Sequence, residues 1–375
     1  MQLLSDISNK TLVRLSALLS LIFFVSLFVC SCNRKPGQNI ELMYTANRAG
    51  AVLLPDRLFA EMAPEQYQEL KLRLAENTQY LLGNLSVTEG RFIFTPVVPF
   101  TAGETYEIVF GNQVLDTFSV ALPDSVPVPV LTRIFPDKDT VPENLLKIYL
   151  CFSEPMREGE ALRHIRLFNE QGDSLPGSFL ELQPELWDST RSVLTLWLDP
   201  GRIKRELIPN KMAGKPLEKG KSYTLKISGA WKSAAGLALG HDVVGQFLVG
   251  ERDDKIPRPE QWVLSTVAPS TASRLKINFG EPLDHFLVPE TIRVLDPRGR
   301  RVRGRVTVVN QGSGAEFLPE ERWQPGKYIL RTASHLEDLA GNNLVRKFDR
   351  DLQQDSAETY KQFADRGFTV REKLQ

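Results

Sequence analysis

Cysteine is scarce in this chain. There are three in 375 residues; Cys30 and Cys32 sit at the end of an N-terminal apolar run, and only Cys151 lies beyond it. No intrachain disulfide can staple the folded part, so its domains must hold by core packing. An excess of charge is missing too, with Lys+Arg 46 against Asp+Glu 46. That balance argues against a nucleic-acid partner, which would call for a basic footprint. The four histidines, His164, His241, His285 and His335, are scattered, with no pair at the i, i+4 spacing of a helical zinc site. A Gly-x-Ser-x-Gly elbow, a Walker loop and a dinucleotide fingerprint are all absent. The expectation is a protein with no cofactor, no catalytic residue and no enzymatic activity.

The one long apolar run, Leu15 to Val29, follows Lys10 and Arg14. It is shorter than the roughly 20 residues a spanning helix needs and fits a secretory h-region. It ends in Val29-Cys30-Ser31-Cys32 and then turns polar at Asn33-Arg34-Lys35. This resembles a bacterial lipoprotein signal, which implies cleavage before Cys32 and lipidation of Cys32. Residues 1–31 are then a signal peptide. The expected location is the cell envelope, outside the cytoplasm and on the outer membrane, with the membrane met through the lipid anchor. An uncleaved N-terminal anchor is the alternative.

What remains is too long for one sandwich of roughly 100 residues and about right for three. A recurring phrase says the same. Phe152-Ser153-Glu154-Pro155-Met156 and Phe279-Gly280-Glu281-Pro282-Leu283 each end an alternating apolar strand, Leu146 to Phe152 and Leu275 to Phe279. Each is followed by a second phrase, Gly220-Lys221-Ser222-Tyr223 and Gly326-Lys327-Tyr328. A first unit keeps only the second half, Gly103-Glu104-Thr105-Tyr106. Pro96 to Gly103 and Pro319 to Gly326 both span seven positions, whereas Pro200 to Gly220 spans twenty, so the middle unit carries an insertion of thirteen. Phe100, Leu217 and Trp323 each stand three residues before their glycine. The expected domains are 38–121, 128–250 and 259–350. Ala121 to Pro129 and Glu251 to Pro259 act as Pro-containing spacers, and 351–375 is a loose tail. The last strand of the third unit is expected near Lys347-Phe348, and Pro64 to Glu76 reads equally as a short helix or a strand pair.

Phe152-Ser153-Glu154-Pro155-Met156, Asp338-Leu339-Ala340-Gly341-Asn342 and the Gly-x-x-Tyr strand between their counterparts resemble the bacterial Ig-like domain named after the S-layer protein SbsA. The resemblance covers the middle and last units and the second half of the first. It implies an all-β chain of tandem Ig-like Greek-key β-sandwiches after the lipoprotein signal, common in secreted and surface-attached bacterial proteins. It implies no single activity, because the fold hosts many. The whole arrangement, with Asp199-Pro200-Gly201-Arg202 in the middle domain, is similar to a family of uncharacterised envelope lipoproteins.

Candidate sites are few. Glu154 and Glu281 are equivalent but lie in different domains, so a local role, accepting backbone N–H groups in their turns, is expected. Cys151 reads as a half-covered, unreactive thiol. Glu337, Asp338, Asn342 and Asn343 crowd one loop with oxygen; Asp338 and Asn342 are weak metal-ligand candidates, and a left-handed turn at Gly341 or an Asn is the stronger reading. Arg298, Arg300, Arg301, Arg303 and Arg305 crowd one predicted hairpin, either a solvated edge or a contact for an acidic partner, glycan or lipid headgroup. In the middle insertion Arg202, Lys204, Arg205 and Lys211 interleave with Ile203, Leu207, Ile208 and Met212, a candidate binding surface or a loop folded on its own domain. The function these features fit is a non-enzymatic binding or scaffolding module with a protein or glycan partner. An accessory subunit of an envelope glycan-capture or export complex is the alternative. A hydrolase would need carboxylates or histidines from two units converging in a cleft.

Overall fold

The computed structural model describes residues 39–45, 48–75, 77–88, 90–122, 125–205, 207–349 and 361–371. The lipoprotein signal and Cys32 lie outside the described residues. Among the described residues no helix is long and apolar enough to cross a membrane. The chain divides into two compact units, Met1–Pro123 and Asp124–Gln375.

Among the described residues the first unit is one sandwich of seven strands: β1 (Glu41–Thr45), β2 (Arg48–Leu54), β3 (Lys71–Leu74), β4 (Gly83–Thr88), β5 (Arg91–Pro96), β6 (Thr105–Phe110) and β7 (Gln113–Ser119). They form the sheets β1-β2-β5-β4 and β3-β6-β7. In strand letters that is A-B-E-D over C-F-G, the constant-type immunoglobulin arrangement. The unit that keeps only half of the repeat phrases is therefore complete in topology. Pro64–Glu69 is a short 3-10 helix and Lys71–Leu74 a strand, so the ambiguous segment is one of each.

The second unit holds two sandwiches. The middle one has β8 (Leu131–Phe135), β9 (Thr140–Val141), β10 (Lys147–Phe152), β11 (Ile165–Phe168), β12 (Val193–Trp197), β13 (Ser222–Ile227) and β14 (Val243–Val249). Its sheets are β12-β10-β8 and β11-β13-β14-β9, and β9 runs parallel to β14 as an A′ strand does to G. The last one has β15 (Val263–Leu264), β16 (Leu275–Asn278), β17 (Ile292–Leu295), β18 (Gly304–Val309), β19 (Gly314–Pro319), β20 (Gly326–Ala333) and β21 (Phe363–Val370), in the sheets β15-β16-β19-β18 and β17-β20-β21. Each sandwich encloses its own apolar cluster. The alternation that marks β10 and β16 in the sequence is the alternation of a strand with one face in that core.

The Gly-x-x-Tyr phrase has a structural meaning in all three sandwiches. Tyr106, Tyr223 and Tyr328 open or nearly open strand F, and their rings are buried. Their hydroxyls accept backbone N–H groups upstream: Thr101 N at 2.8 Å, Glu218 N at 2.9 Å and Gln324 N at 3.2 Å. This is the tyrosine corner, in which one ring fills the core while its hydroxyl satisfies the incoming loop. Phe100, Leu217 and Trp323 are the buried plugs of the same corners.

Two expectations about the C-terminus are corrected. Lys347-Phe348 forms no strand, and residues 363–370, expected loose, form β21, which pairs along the whole of β20. Val370 is buried in the third core and Phe368 packs against it. The sequence 363–370 alternates exposed and half-buried positions with few large apolar residues, because an edge G strand has one wet face. Truncation after residue 350 is expected to open the third core and destabilise it by several kcal/mol; proteolysis that cuts residues 259–349 in the truncated chain and spares them in the full chain checks this.

Candidate functional site

The middle and last sandwiches meet through a polar joint. Lys147, the first residue of β10, sends its Nζ to Glu337 Oε2 at 2.6 Å and Asp284 Oδ2 at 3.3 Å. Tyr149, two residues on and so on the same face of β10, donates its hydroxyl to Asp284 Oδ2 at 2.6 Å. The other carboxylate oxygen of Asp284 accepts the backbone N–H of Phe286 and Leu287. All four lone-pair directions of a 4 % exposed carboxylate are thus answered. Burial by itself would lower the Lys147 pKa, but Asp284 and Glu337 outweigh it and the net shift is upward. The Tyr149 phenol is pushed up, first by burial and then by Asp284.

Around this ion cluster the contact continues. Phe135 stacks on His285, with centroids 3.9 Å apart, and Phe286 leans on Tyr149 at 4.5 Å. Burial lowers the pKa of His285. The cavity left among Phe135, Lys147, Tyr149, Asp284 and His285 is ≈ 20 Å³, room for about one water. The backbone N–H of Leu146 donates to Leu339 O at 2.9 Å. Gly341 sits under Leu146 with φ +78°, and a Cβ there would strike the Leu146 side chain. Glycine is required twice over, for the left-handed turn and for the approach of the neighbouring sandwich.

The segment expected as a spacer, Glu251 to Pro259, is stitched into both sandwiches. The Asp253 carbonyl accepts from Asn144 Nδ2 at 2.7 Å and Asn342 Nδ2 at 3.0 Å, and Asp253 N donates to Asn144 Oδ1 at 2.8 Å. Arg252 Nη2 reaches Asp349 Oδ2 at 2.6 Å. Linker composition does not reveal these bonds, because their partners are far away in sequence.

Beside this seam stand three carboxylates, Asp253, Glu281 and Asp338, with one oxygen of each within 4.8 Å of the others. Contrary to expectation, among the described residues neither the Glu281 nor the Glu154 carboxylate accepts a backbone N–H in its turn. Gly280 N donates to Asn278 Oδ1 in the first case, and Ser153 Oγ accepts Val130 N at the second turn. Burial, then the nearby Asp253, pushes Glu281 up to about 7. Burial pushes Asp338 up to about 8, opposed by the Asn342 side chain and assisted by Asp253. Three carboxylates can offer oxygen to a hard cation, although calcium takes six to eight ligands. Asn342 offers none: its amide nitrogen serves Asp338 and Asp253, and its oxygen accepts Phe348 N at 3.0 Å. It is 1 % exposed and acts as a plug of the turn, not as a ligand. A groove of ≈ 1340 Å³ runs past Asp253 and Glu281 but does not include Asp338 in its lining.

The basic insertion of the middle domain is largely spent on its own unit. The Arg202 guanidinium donates to the carbonyls of Gly177, Ala213, Gly214 and Lys215. Arg205 pairs with Asp349 at 3.1 Å, and Lys204 lies 4.6 Å from the Phe348 ring centre. The insertion thus braces the last sandwich. Leu207, Ile208 and Met212 stay exposed, beside Lys211. In the Arg-rich segment Arg300 binds Asp296 at 2.8 Å, while the side chains of Arg298, Arg301, Arg303 and Arg305 have no hydrogen-bond or ion-pair partner among the described residues. Cys151 is half-buried, and burial pushes its thiol up to about 11, the opposite of a reactive cysteine.

No protein-family model matches this chain, and no curated protein matches it in sequence. Among solved structures it is similar to native alpha-2-macroglobulin of Escherichia coli spanning domains MG0-NIE-MG1, at 10% identity and TM-score 0.22, over 65% of this chain and 71% of that one. It is also similar to the I-band fragment I67-I69 of titin, at 10% identity and TM-score 0.19, over 70% and 82%. A third is the S-layer protein rSbsC(31-844), at 11% identity and TM-score 0.15, over 86% and 39%. The architecture of the described residues, all-β with Ig-like sandwiches, rests on the strand order above.

Two outcomes are expected. Lys147→Ala strands Asp284 without its cation and should cost about 3–5 kcal/mol, against about 1–2 kcal/mol for Tyr149→Phe; denaturant unfolding of the second unit measures both. Asp338 and Glu281 have folded pKa values above their unfolded ones, so the stability they lend is full below about pH 4 and is lost as pH rises through about 7 to 8. The melting temperature should fall between about pH 4 and about pH 8 and level off above that, and Glu281→Gln should flatten the fall.

Proposed function

We propose that the chain is a non-enzymatic scaffold of the bacterial cell envelope, lipid-anchored through Cys32 and held outside the cytoplasm, on the outer membrane. One observation carries the scaffold reading. Two of the three loops that carry ligand contacts in antibody variable domains, B–C and F–G, are here turned onto the neighbouring sandwich. In the last sandwich the B–C loop supplies Asp284, His285 and Phe286, and the F–G loop supplies Glu337, Asp338 and Asn342. Lys147, Tyr149, Asp284 and Glu337 answer one another across the joint, which supports a rigid two-sandwich body. Such a body sets distance and orientation between partners, which also suits an accessory subunit of a glycan-capture or export complex.

A hydrolase in the interdomain groove is the second reading, favoured by the carboxylates of Glu281 and Asp253 along that groove. Against it, Asp338 is 3 % exposed and already accepts from Ala340 N, Asn342 N and Asn342 Nδ2.

The experiment is cell fractionation with Cys32→Ser. Wild type should partition with membranes and carry the mass of a lipidated chain, and the variant should not; a wild-type protein that is soluble and unlipidated overturns the anchor. Rigidity is read separately: residual dipolar couplings of the second unit should fit one alignment tensor, and Lys147→Ala should split it into two. Turnover of chromogenic glycosides or esters that Glu281→Gln abolishes would overturn the scaffold reading in favour of the hydrolase.

A further inference from the structure

We propose that Arg301, Arg303 and Arg305, with Arg298 at the turn, form a docking ladder for an extended acidic peptide segment whose carboxylates recur at alternate residues. This rests on the reading of the chain as a binding module and adds the chemistry of one partner.

The ladder is built by the segment that leads into the D strand of the last sandwich and by the start of that strand, β18. Residues 301 to 307 alternate exposed and half-buried, so Arg301, Arg303 and Arg305 stand on one wet face while Val302 and Val306 pack on the core. On an extended strand alternate side chains stand ~6.7 Å apart. The segment bends between sheets: Arg301 bridges Leu295, and from Gly304 the strand pairs with β19. β18 is the edge of its sheet, so the row lies at the rim of the sandwich.

Nothing within the described residues neutralises this row. Asp296, the nearest acid in sequence, is taken by Arg300 and by backbone N–H groups. Glu316, on β19, is taken by Arg274. Glu320 meets Arg303 only through its backbone, Glu320 N to Arg303 O at 3.0 Å. The crowding has a cost in place: the guanidinium of Arg293 has its pKa lowered, first by burial and then by Arg301. In a chain with 46 basic and 46 acidic residues, a row of unanswered guanidiniums is a local choice.

The chemistry selects the partner. A guanidinium fork takes a carboxylate through two parallel hydrogen bonds, and clusters of arginines recognise acidic motifs. An extended peptide with an acid at every second residue presents its carboxylates on one side at ~6.7 Å intervals, with the same period of two on which the exposed arginines alternate. Leu318 is directly opposite Arg305 on β19 and 40% exposed, which gives such a strand one apolar contact. A line of charges fits a chain better than the plane of a bilayer, and no exposed aromatic on β18 or β19 offers a base a stacking platform. A purely solvated edge strand, guarded against pairing by its charges, predicts no such register.

The test uses the full chain at low ionic strength, where exposed ion pairs are least screened. The probes are a synthetic peptide of alternating Glu and Thr, a peptide of the same composition with its Glu residues in one block, polygalacturonate, and vesicles of anionic phospholipid. The alternating peptide should bind more tightly than the block peptide. Its affinity should fall at least about tenfold in the triple variant Arg301→Gln, Arg303→Gln, Arg305→Gln and by less in the triple Lys variant, which keeps charge but loses the fork. Both variants alter exposed side chains, so unchanged melting temperatures confirm the fold. Failure to bind the alternating peptide, equal binding of the two peptides, indifference to the Gln variant, or tighter binding of polygalacturonate or vesicles would each overturn the proposal. None of these outcomes bears on the lipid anchor or on the rigidity of the second unit.

Discussion

The second unit depends on one constraint: a carboxylate, Asp284, buried at the junction of two sandwiches. Taking an ionised group out of water is expensive unless charge and hydrogen bonds replace the lost hydration. Here the replacement comes from both domains at once. Lys147 and Tyr149 of the middle sandwich and the backbone of the B–C loop of the last one converge on it. Neither sandwich alone supplies all of its partners, so separation would exchange the bonds from Lys147 and Tyr149 for water. That is a different kind of adhesion from an apolar patch: it is directional, and it fixes one relative orientation.

The surrounding seam follows the same logic. Asn144 and Asn342, both nearly sealed from water, share the carbonyl of Asp253, so the connecting segment is a structural member of both domains. Gly341 lets Leu146 reach the F–G loop, and the middle-domain insertion reaches across to Asp349 through Arg205. The three carboxylates beside the seam stand close because the backbone around them is held by other bonds, and burial first, then the nearby Asp253, raises the pKa values of Glu281 and Asp338.

Much of the fold was legible. Alternation in Leu146–Phe152 and Leu275–Phe279 marks the B strands because period-2 patterning follows directly from strand geometry. The Gly-x-x-Tyr phrase marks strand F in all three sandwiches, since the corner needs a ring in the core and a hydroxyl at a fixed offset from the turn. What was missed has a common cause. β21 hides because an edge strand needs only a few buried residues. The stitching of Glu251–Pro259 and the turn of Glu281 toward Asp253 and Asp338 hide because they join residues tens of positions apart, and composition carries no information about such pairs.

The division is thus a physical one. The amino-acid sequence by itself marked the phase of the B strands and the Gly-x-x-Tyr phrases, patterns carried within a few residues of chain. Whether a charged residue is a free surface group or a fastener was decided by the tertiary structure alone. Arg202, Arg205 and Lys204 looked like the exposed basic surface and prove to be tied to carbonyls, a carboxylate and a ring. Arg301, Arg303 and Arg305 looked the same in composition and have no side-chain partner among the described residues. A charge has the same chemistry in both places; its partners depend on which distant segments the fold brings within a few ångströms, and that distance is not written in the order of residues.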